Sequence, residues 1–275
     1  MANWLITGCS SGLGRALALE ALNQGHNVVV TARNPESVSN VVRKHPSSAM
    51  AATLDVRDRH QIQSAVKVAR ERFGTIDVLV NNAGHGYRAA VEEGDTDEVS
   101  ALFDANFSGP VALIKEVLPS MRERCSGVIV NVSTIAVPWV PAGSGYYAAS
   151  KAALEAVSDA LRVELQPLGI KVLVIEPGGF RTDFAGRSLM ESKARVSAYA
   201  GTAGLRRKDV DPTHGRQPGD PARAARIIVE AINAESLPSR LLLGSDAVRI
   251  VSEHLQSRLA ETEKWASLSV QTDFE

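Results

Sequence analysis

Tyr147 and Lys151, in the stretch YYAASK (146–151), stand four residues apart. On a helix that spacing puts both side chains on one face. A lysine ammonium beside a phenol favours the phenolate and lowers a pKa that otherwise sits at about 10. Such a pair can pass a proton to or from a reacting oxygen near neutral pH. The same spacing occurs wherever a helix packs a tyrosine and exposes a lysine, so the pair needs company before it carries chemistry. Tyr146 has no lysine at that offset and reads as a pocket or interface residue.

A second candidate is TGCSSGLG (7–14). Gly8, Gly12 and Gly14, with Ser10, Ser11 and Leu13 between them, permit a tight turn and bring backbone amides close to a pyrophosphate at a helix N-terminus. The spacing is G-x-x-x-G-x-G, not the G-x-G-x-x-G of the common dinucleotide fingerprint. Cys9, within the loop, reads as a packing residue. NNAG (81–84) is a third candidate, which alone would be an Asn/Gly turn.

These segments fall at the ends of strand-like runs. NWLIT (3–7), NVVVTA (27–32), AATL (51–54), IDVLV (76–80), GVIVNV (127–132) and KVLVIE (171–176) are nearly continuous in apolar residues. That is the look of strands buried on both faces, as in a parallel sheet. Helical patterns over about 13–24, 36–44, 58–73, 96–123 and 146–166 separate them. In the last, Leu154, Val157, Leu161 and Leu165 form a core-facing stripe. The alternation predicts an α/β, doubly wound Rossmann fold with a mostly parallel sheet. After EPGGF (176–180) the rhythm stops. Residues 181–218 have little period and read as a substrate lid at the ligand-facing end of a strand. A capped helix follows at DPARAARIIVEAI (220–232), with Asp220 as N-cap and Pro221 at the first helical position. LLLG (241–244) reads as another strand and 245–265 as a long C-terminal helix, which makes 1–275 a single domain.

Composition narrows the functional classes. A net charge of −1 with no Lys/Arg block argues against nucleic acid or an anionic membrane as the main partner. No apolar run approaches the roughly 20 residues of a membrane span. Two cysteines, Cys9 and Cys125, suit a reducing compartment and exclude a disulfide framework. The start of the chain runs directly into a strand and a glycine loop, without a targeting pattern. A cytoplasmic, soluble protein is expected. The histidines (26, 45, 60, 85, 214 and 254) have no ligand spacing, so no metal is expected.

TGCSSGLG, NNAG and YAASK, in this order and spacing, resemble the short-chain dehydrogenase/reductase family, in its single-domain branch. The likeness runs from about residue 3 to 182 and weakens toward the C-terminal helix. It implies a seven-stranded sheet and a nicotinamide cofactor on Gly8, Ser10, Ser11, Gly12, Leu13 and Gly14. It also implies Asp55 at the adenine edge with Val56 packed nearby, and Asn82, Ala83 and Gly84 along the ribose and nicotinamide. At the end of the second strand, NAD sites usually place a carboxylate near the ribose 2′-hydroxyl, and an arginine accommodates a 2′-phosphate. This chain offers Ala32 and then Arg33, so NADP(H) is expected ahead of NAD(H).

The resemblance makes Tyr147 the acid/base, with Lys151 lowering its pKa and bonding the nicotinamide ribose. A serine usually stands 13 residues before the tyrosine; here that position is Thr134, with Ser133 one earlier. Thr134 is favoured as the hydroxyl on the substrate oxygen, with Ser133 the alternative. Asn106, in DANFSGP (104–110), is implied to distort its helix and support a proton relay. PGGFRT (177–182) is implied to pack Pro177 and Gly178 on the nicotinamide and bond its carboxamide through Thr182.

The pattern is closest to unassigned bacterial oxidoreductases near the hydroxysteroid and retinol dehydrogenases. His85, Tyr87, Val137, Trp139, Val140, Phe180 and Phe184 are candidate pocket walls and suit a hydrophobic ketone, aldehyde or alcohol. A homodimer or homotetramer through helices 96–123 and 146–166 is implied by the family. Two other readings stand: a non-catalytic NADP(H)-binding sensor, and a 3-ketoacyl-thioester reductase docking its carrier on Arg122, Arg124, Arg206, Arg207 and Lys208.

Overall fold

The computed structural model describes residues 1–210 and 215–274. Seven strands form one parallel sheet: β1 (Asn3–Ile6), β2 (Asn27–Ala32), β3 (Ala49–Thr53), β4 (Val78–Asn81), β6 (Gly127–Val132), β7 (Ile170–Pro177) and β9 (Arg240–Leu243), in the order β3-β2-β1-β4-β6-β7-β9. Two further short strands, β5 (Gly86–Arg88) and β8 (Leu189–Glu191), pair with each other in parallel outside it. The expected strands form with ends shifted by a residue or more, and β2 and β6 coincide with NVVVTA and GVIVNV.

Alternating strand side chains feed two cores, as the pleat requires. Trp4, Ile6, Val28, Val30, Val78 and Val80 face α1 (Gly12–Asn23), α2 (Ser39–Lys44) and α7 (Pro221–Asn233). Leu5, Val29, Leu79, Ile129 and Val172 face α3 (Arg59–Phe73), α5 (Gly109–Glu123) and α6 (Gly145–Leu165). Helices on both faces explain why the strands carry no polar side. The order reverses at β1 and β4, which opens a crevice beyond their C-terminal ends. TGCSSGLG leaves β1 and NNAG leaves β4 at that point.

The expected helix over 96–123 is two helices. α4 (Thr96–Phe103) passes through a π-helical turn at Asp104–Ser108 into α5. Asn106 lies in that turn, where one extra residue is accommodated. On α6, Leu154, Leu161 and Leu165 are buried, and a polar ladder crosses the sheet to meet the same helix. Asn81 donates to Asn131 at 2.8 Å, Asn131 to the Ser158 hydroxyl at 2.8 Å, and Ser158 to the Leu154 carbonyl at 2.6 Å. These buried bonds fix the height of α6 against the strand ends, because an unpaired amide there would cost its full desolvation.

The segment after β7 is more ordered than its sequence suggests. It holds a 3₁₀ turn at Asp183–Ala185, β8, and 3₁₀ turns at Ser197–Tyr199 and Ala203–Arg206, then returns through a bridge between Phe180 and Gly219. A buried ion pair anchors it. Arg207 meets Glu93 at 2.7 Å and donates to the Ser192 and Ala194 carbonyls at 2.6 and 2.7 Å, with both side chains 4% exposed. Hydrogen-bond pairing in place of hydrophobic periodicity is why no pattern was visible there. Part of the expected lid, 211–214 with His214, lies outside the described residues.

α8 (Ser245–Ser269) starts against the sheet, burying Ala247 and Val251, and then leaves the body; Leu255, Leu259, Trp265 and Leu268 are all exposed. No helix among the described residues is long and apolar enough to cross a membrane. α7 is capped as its sequence predicts, the Asp220 carboxylate accepting from the amides of Ala222 at 2.8 Å and Arg223 at 3.4 Å. Asp220→Ala should therefore cost about 1 kcal/mol, read as a lower urea midpoint with unchanged slope.

Candidate active site

A cavity of about 1050 Å³ runs along the crevice from Arg33, Asp55 and Arg57 at one end to Tyr147, Phe184 and Leu205 at the other. It is lined by Gly8, Ser10, Ser11, Gly12, Leu13, Val56, Asn82, Ala83, Gly84, Ser133, Thr134, Lys151, Pro177, Gly178 and Thr182. Its volume is at the upper end for ligand sites and suits a dinucleotide.

The glycine loop is shaped by its neighbours. Gly8 and Gly12 have φ of 73° and 59°, which a side chain rarely adopts. Gly14 is needed for another reason: a Cβ there would collide with Asn82. That asparagine donates to the Thr7 and Gly8 carbonyls at 2.8 and 3.2 Å, and the Thr7 hydroxyl accepts from the amides of Asn82 and Ala83, both at 2.9 Å. NNAG thus braces the loop from the next strand. Ser11, the N-cap of α1, makes no side-chain cap bond, so the helix presents its first amides to the cavity. Arg187, which sequence reasoning missed, reaches back from the insertion to the Ser11 hydroxyl at 3.2 Å. Cys9 is buried and its thiol is pushed up to about 12 by that burial, which suits packing.

At the far rim Arg33 is exposed, and no carboxylate among the described residues pairs with it. Asp55 is instead held by Arg57 at 2.7 Å, a bond that lowers the carboxyl below its ordinary range. The rim thus holds two guanidinium groups, Arg33 and Arg57, and one carboxylate, Asp55.

Around Tyr147 the geometry separates two hydroxyls. Thr134 lines the cavity with the phenol and draws its pKa down. Ser133 turns the other way and donates to Glu155. Adjacent residues leaving a strand point to opposite sides, and here Ser133 turns toward α6. Burial pushes the Tyr147 phenol up to about 12, with Thr134 opposing it. The Lys151 amine is buried, donates to the Val132 carbonyl at 2.8 Å, and is itself pushed down to about 8 by burial. Phe184 lies against the phenol, with ring centroids 5.6 Å apart.

Asn106 is fully buried in the π-turn. It accepts from the His85 amide at 3.1 Å and donates to the His85 carbonyl at 3.0 Å and the Ser150 hydroxyl at 3.1 Å. His85 lines the cavity, and burial lowers its pKa.

The expected pocket walls are only partly right. His85, Phe180 and Phe184 line the cavity; Val137, Trp139 and Val140 do not. After Thr134 the chain coils tightly, Val137 bonding back to Thr134 and Trp139 to Ile135, and this carries Trp139 and Val140 out to the surface. Tyr87 is core, packed with Ala89 and Leu102, its hydroxyl donating to Glu98 at 2.8 Å. Tyr146 rests on Tyr87 and donates to the Val91 carbonyl at 2.7 Å, away from the cavity. Arg88, Ser188, Met190, Leu205, Arg206 and Gln217, not singled out as walls in the sequence, come from β5 and the insertion, segments from which the pocket was expected to be assembled. Arg207 is buried in its pair with Glu93 and Arg206 borders the cavity, so the proposed carrier-docking patch loses two of its members.

Beneath the cavity floor, α8 meets the PGG turn. The Gly179 amide donates to Asp246 at 2.8 Å, and a Cβ at Gly178 would collide with the same carboxylate. Among the described residues no three His, Cys, Asp or Glu side chains converge as metal ligands.

Comparison with known proteins agrees with this arrangement. A family model described as short chain dehydrogenase matches residues 2–192. The chain belongs to the short-chain dehydrogenase family and is an oxidoreductase of that family. It is 39% identical over 268 residues to an oxidoreductase of Botryotinia fuckeliana, covering 97% of each chain. A solved short-chain dehydrogenase from Streptomyces avermitilis is 43% identical with a TM-score of 0.92, over 99% of this chain and 98% of that one. A serine dehydrogenase solved in its closed form with NADP+ is 26% identical with a TM-score of 0.75, over 88% of this chain and 94% of that one.

Because burial keeps the Tyr147 proton in place, tyrosinate absorbance of the wild type and Tyr147→Phe should rise together up to about pH 11 in the protein without cofactor. An extra phenolate signal in the wild type near neutral pH would contradict the buried phenol.

Proposed function

We propose that the protein is an NADP(H)-dependent oxidoreductase that interconverts a hydrophobic ketone or aldehyde and its alcohol, with Tyr147 as acid/base. The observation that carries this reading is the convergence of Tyr147, Thr134 and Lys151 on the cavity that the glycine loop borders. Residues 7–14 and 82–84 would hold the dinucleotide, Arg33 its 2′-phosphate, and Pro177, Gly178 and Thr182 the nicotinamide end. The nicotinamide, when bound, gives or takes the hydride.

In reduction the Tyr147 hydroxyl donates its proton to the oxygen that gains charge. Thr134 donates a second hydrogen bond to that oxygen. Lys151 keeps two donors beyond its bond to Val132 and stabilises the phenolate that forms. The positive charge of an oxidised nicotinamide would act in the same direction. A phenol at about 12 in the protein alone must come down toward the working pH to serve as general acid and base, the direction in which Lys151 and an oxidised nicotinamide would act. Asn106 ties the π-turn to Ser150, on the turn of α6 between Tyr147 and Lys151, and so orients the pair.

Phe180, Phe184, Met190 and Leu205 support an apolar substrate body, and the insertion that supplies most of them supports a lid over 181–218 in a single domain. Arg88 and Arg206 add polar edges to that chamber. A homo-oligomer through α5 and α6, in a cytoplasmic setting, completes the reading.

NADPH oxidation should be followed against a mixed panel of ketones, aldehydes and acyl thioesters. Turnover of a hydrophobic ketone or aldehyde is expected; tight NADPH binding with no turnover of any carbonyl would favour a sensor. The kcat/KM ratio for NADPH over NADH should exceed about 10 and collapse in Arg33→Ala, since an arginine–phosphate contact is worth more than a hydroxyl bond. Tyr147→Phe should abolish reduction and spare NADPH binding. Thr134→Val should lose about 10²–10³ in kcat, as for an oxyanion donor, and lose more than Ser133→Ala.

A further inference from the structure

α6 carries ionisable groups at every fourth residue along one side: Tyr147, Lys151, Glu155 and Asp159. The first two belong to the site already described. Glu155 is 6% exposed, a position where a carboxylate survives only with partners. It accepts from the Ser133 hydroxyl, on the residue before Thr134, and lies 3.7 Å from the Arg240 guanidinium on β9. Arg240 also meets Glu176 of β7 at 3.1 Å and Asp159 at 2.6 Å, and Arg162 meets Asp159 at 2.7 Å.

Three carboxyl groups, Glu155, Glu176 and Asp159, share two guanidinium groups, Arg240 and Arg162, and Lys151 stands one turn from Glu155 on the same helix. Burial draws the Lys151 amine down and Glu155 draws it up. Glu155 is itself raised by burial, with the Ser133 bond and Arg240 opposing. Burial, then the charge of Glu155, pushes Glu176 up to about 7. Glu155 thus stands between two parts of the site: it is bonded to Ser133 at the strand end that carries Thr134, and it lies one helical turn from Lys151.

We propose that Glu155 is a positioning residue for the Tyr147–Lys151 pair: one turn from Lys151 on α6, its carboxylate, through Ser133, ties the strand end bearing Thr134 to the helix bearing Tyr147. The proposal deepens the reading of Tyr147 and Lys151 given above and rests on it for its catalytic meaning. Ser133, on this view, serves the site from behind, through a carboxylate.

The sign follows directly. An ammonium that loses a neighbouring negative charge gives up its proton more easily, so its titration moves to lower pH. The full-length protein should be labelled with [ε-¹³C]lysine and its Lys151 resonance, assigned by Lys151→Met, followed against pH. In Glu155→Gln, which keeps the shape and an acceptor for Ser133, the midpoint should fall by about one pH unit. Glu155→Asp should recover most of that shift. An unmoved midpoint in a folded Glu155→Gln protein overturns the proposal, because a purely structural residue would lower stability and leave the lysine alone. Should that variant not fold, the wild type suffices: its Lys151 resonance should carry a second, smaller step at acid pH as Glu155 takes up a proton, a step that persists in His85→Gln, whose imidazole also faces Lys151, and a single-step curve overturns the proposal equally. This readout needs no substrate, so it stands or falls separately from the panel assay. For any carbonyl the panel finds, the alkaline limb of kcat/KM should move with the lysine, with NADPH affinity unchanged.

Discussion

Lys151 brings an amine into the seam between a helix and a sheet, and burying a charge there is the constraint that organises its surroundings. Its bond to the Val132 carbonyl fixes it at the end of β6, where the parallel ladder has stopped and a carbonyl is free to accept. The Asn81–Asn131–Ser158 ladder holds the helix at the height that makes this bond possible. The π-turn around Asn106 supports the same helix from the other side through Ser150. Removing any of these would leave a buried polar group unpaired, which costs more than the net worth of the bond.

Much of this was legible in the sequence because its signals are local. A glycine at positive φ, an asparagine at a strand end and a four-residue offset on a helix each leave a mark in a short window, and NVVVTA and GVIVNV became strands over their own lengths. The break in the helix over 96–123 was legible only through Asn106, since the flanking apolar pattern continues across it. The insertion was not legible. Its order comes from β8 pairing with β5 and from Arg207 meeting Glu93, contacts 103 to 114 residues apart that leave no periodicity.

The substrate walls show the same limit from another side. Val137, Trp139 and Val140 have the composition of a pocket and face elsewhere, because a tight coil after Thr134 sets their direction. Met190, Leu205 and Arg206 lie in an aperiodic stretch and do reach the cavity. Side-chain type predicts what a wall does once it is known to be one. It does not tell which backbone turns toward the ligand. Glu155 is an intermediate case: its offset from Lys151 is plain in the sequence, but an i,i+4 Lys–Glu pair ordinarily signals a solvated helix face, and only its 6% exposure reverses that reading.

Asp246 gives the far end of the chain a mechanical role. It opens the first turn of α8, bonds the Gly179 amide and fills the space a side chain at Gly178 would need. Most of α8 beyond Val251 stands clear of the body, so the helix is an arm about 30 Å long whose root meets the turn below the crevice. Torque applied to its tip, by a second subunit, a fused domain or an affinity tag, would reach Gly178–Gly179 through Asp246 as well as the sheet through Ala247 and Val251.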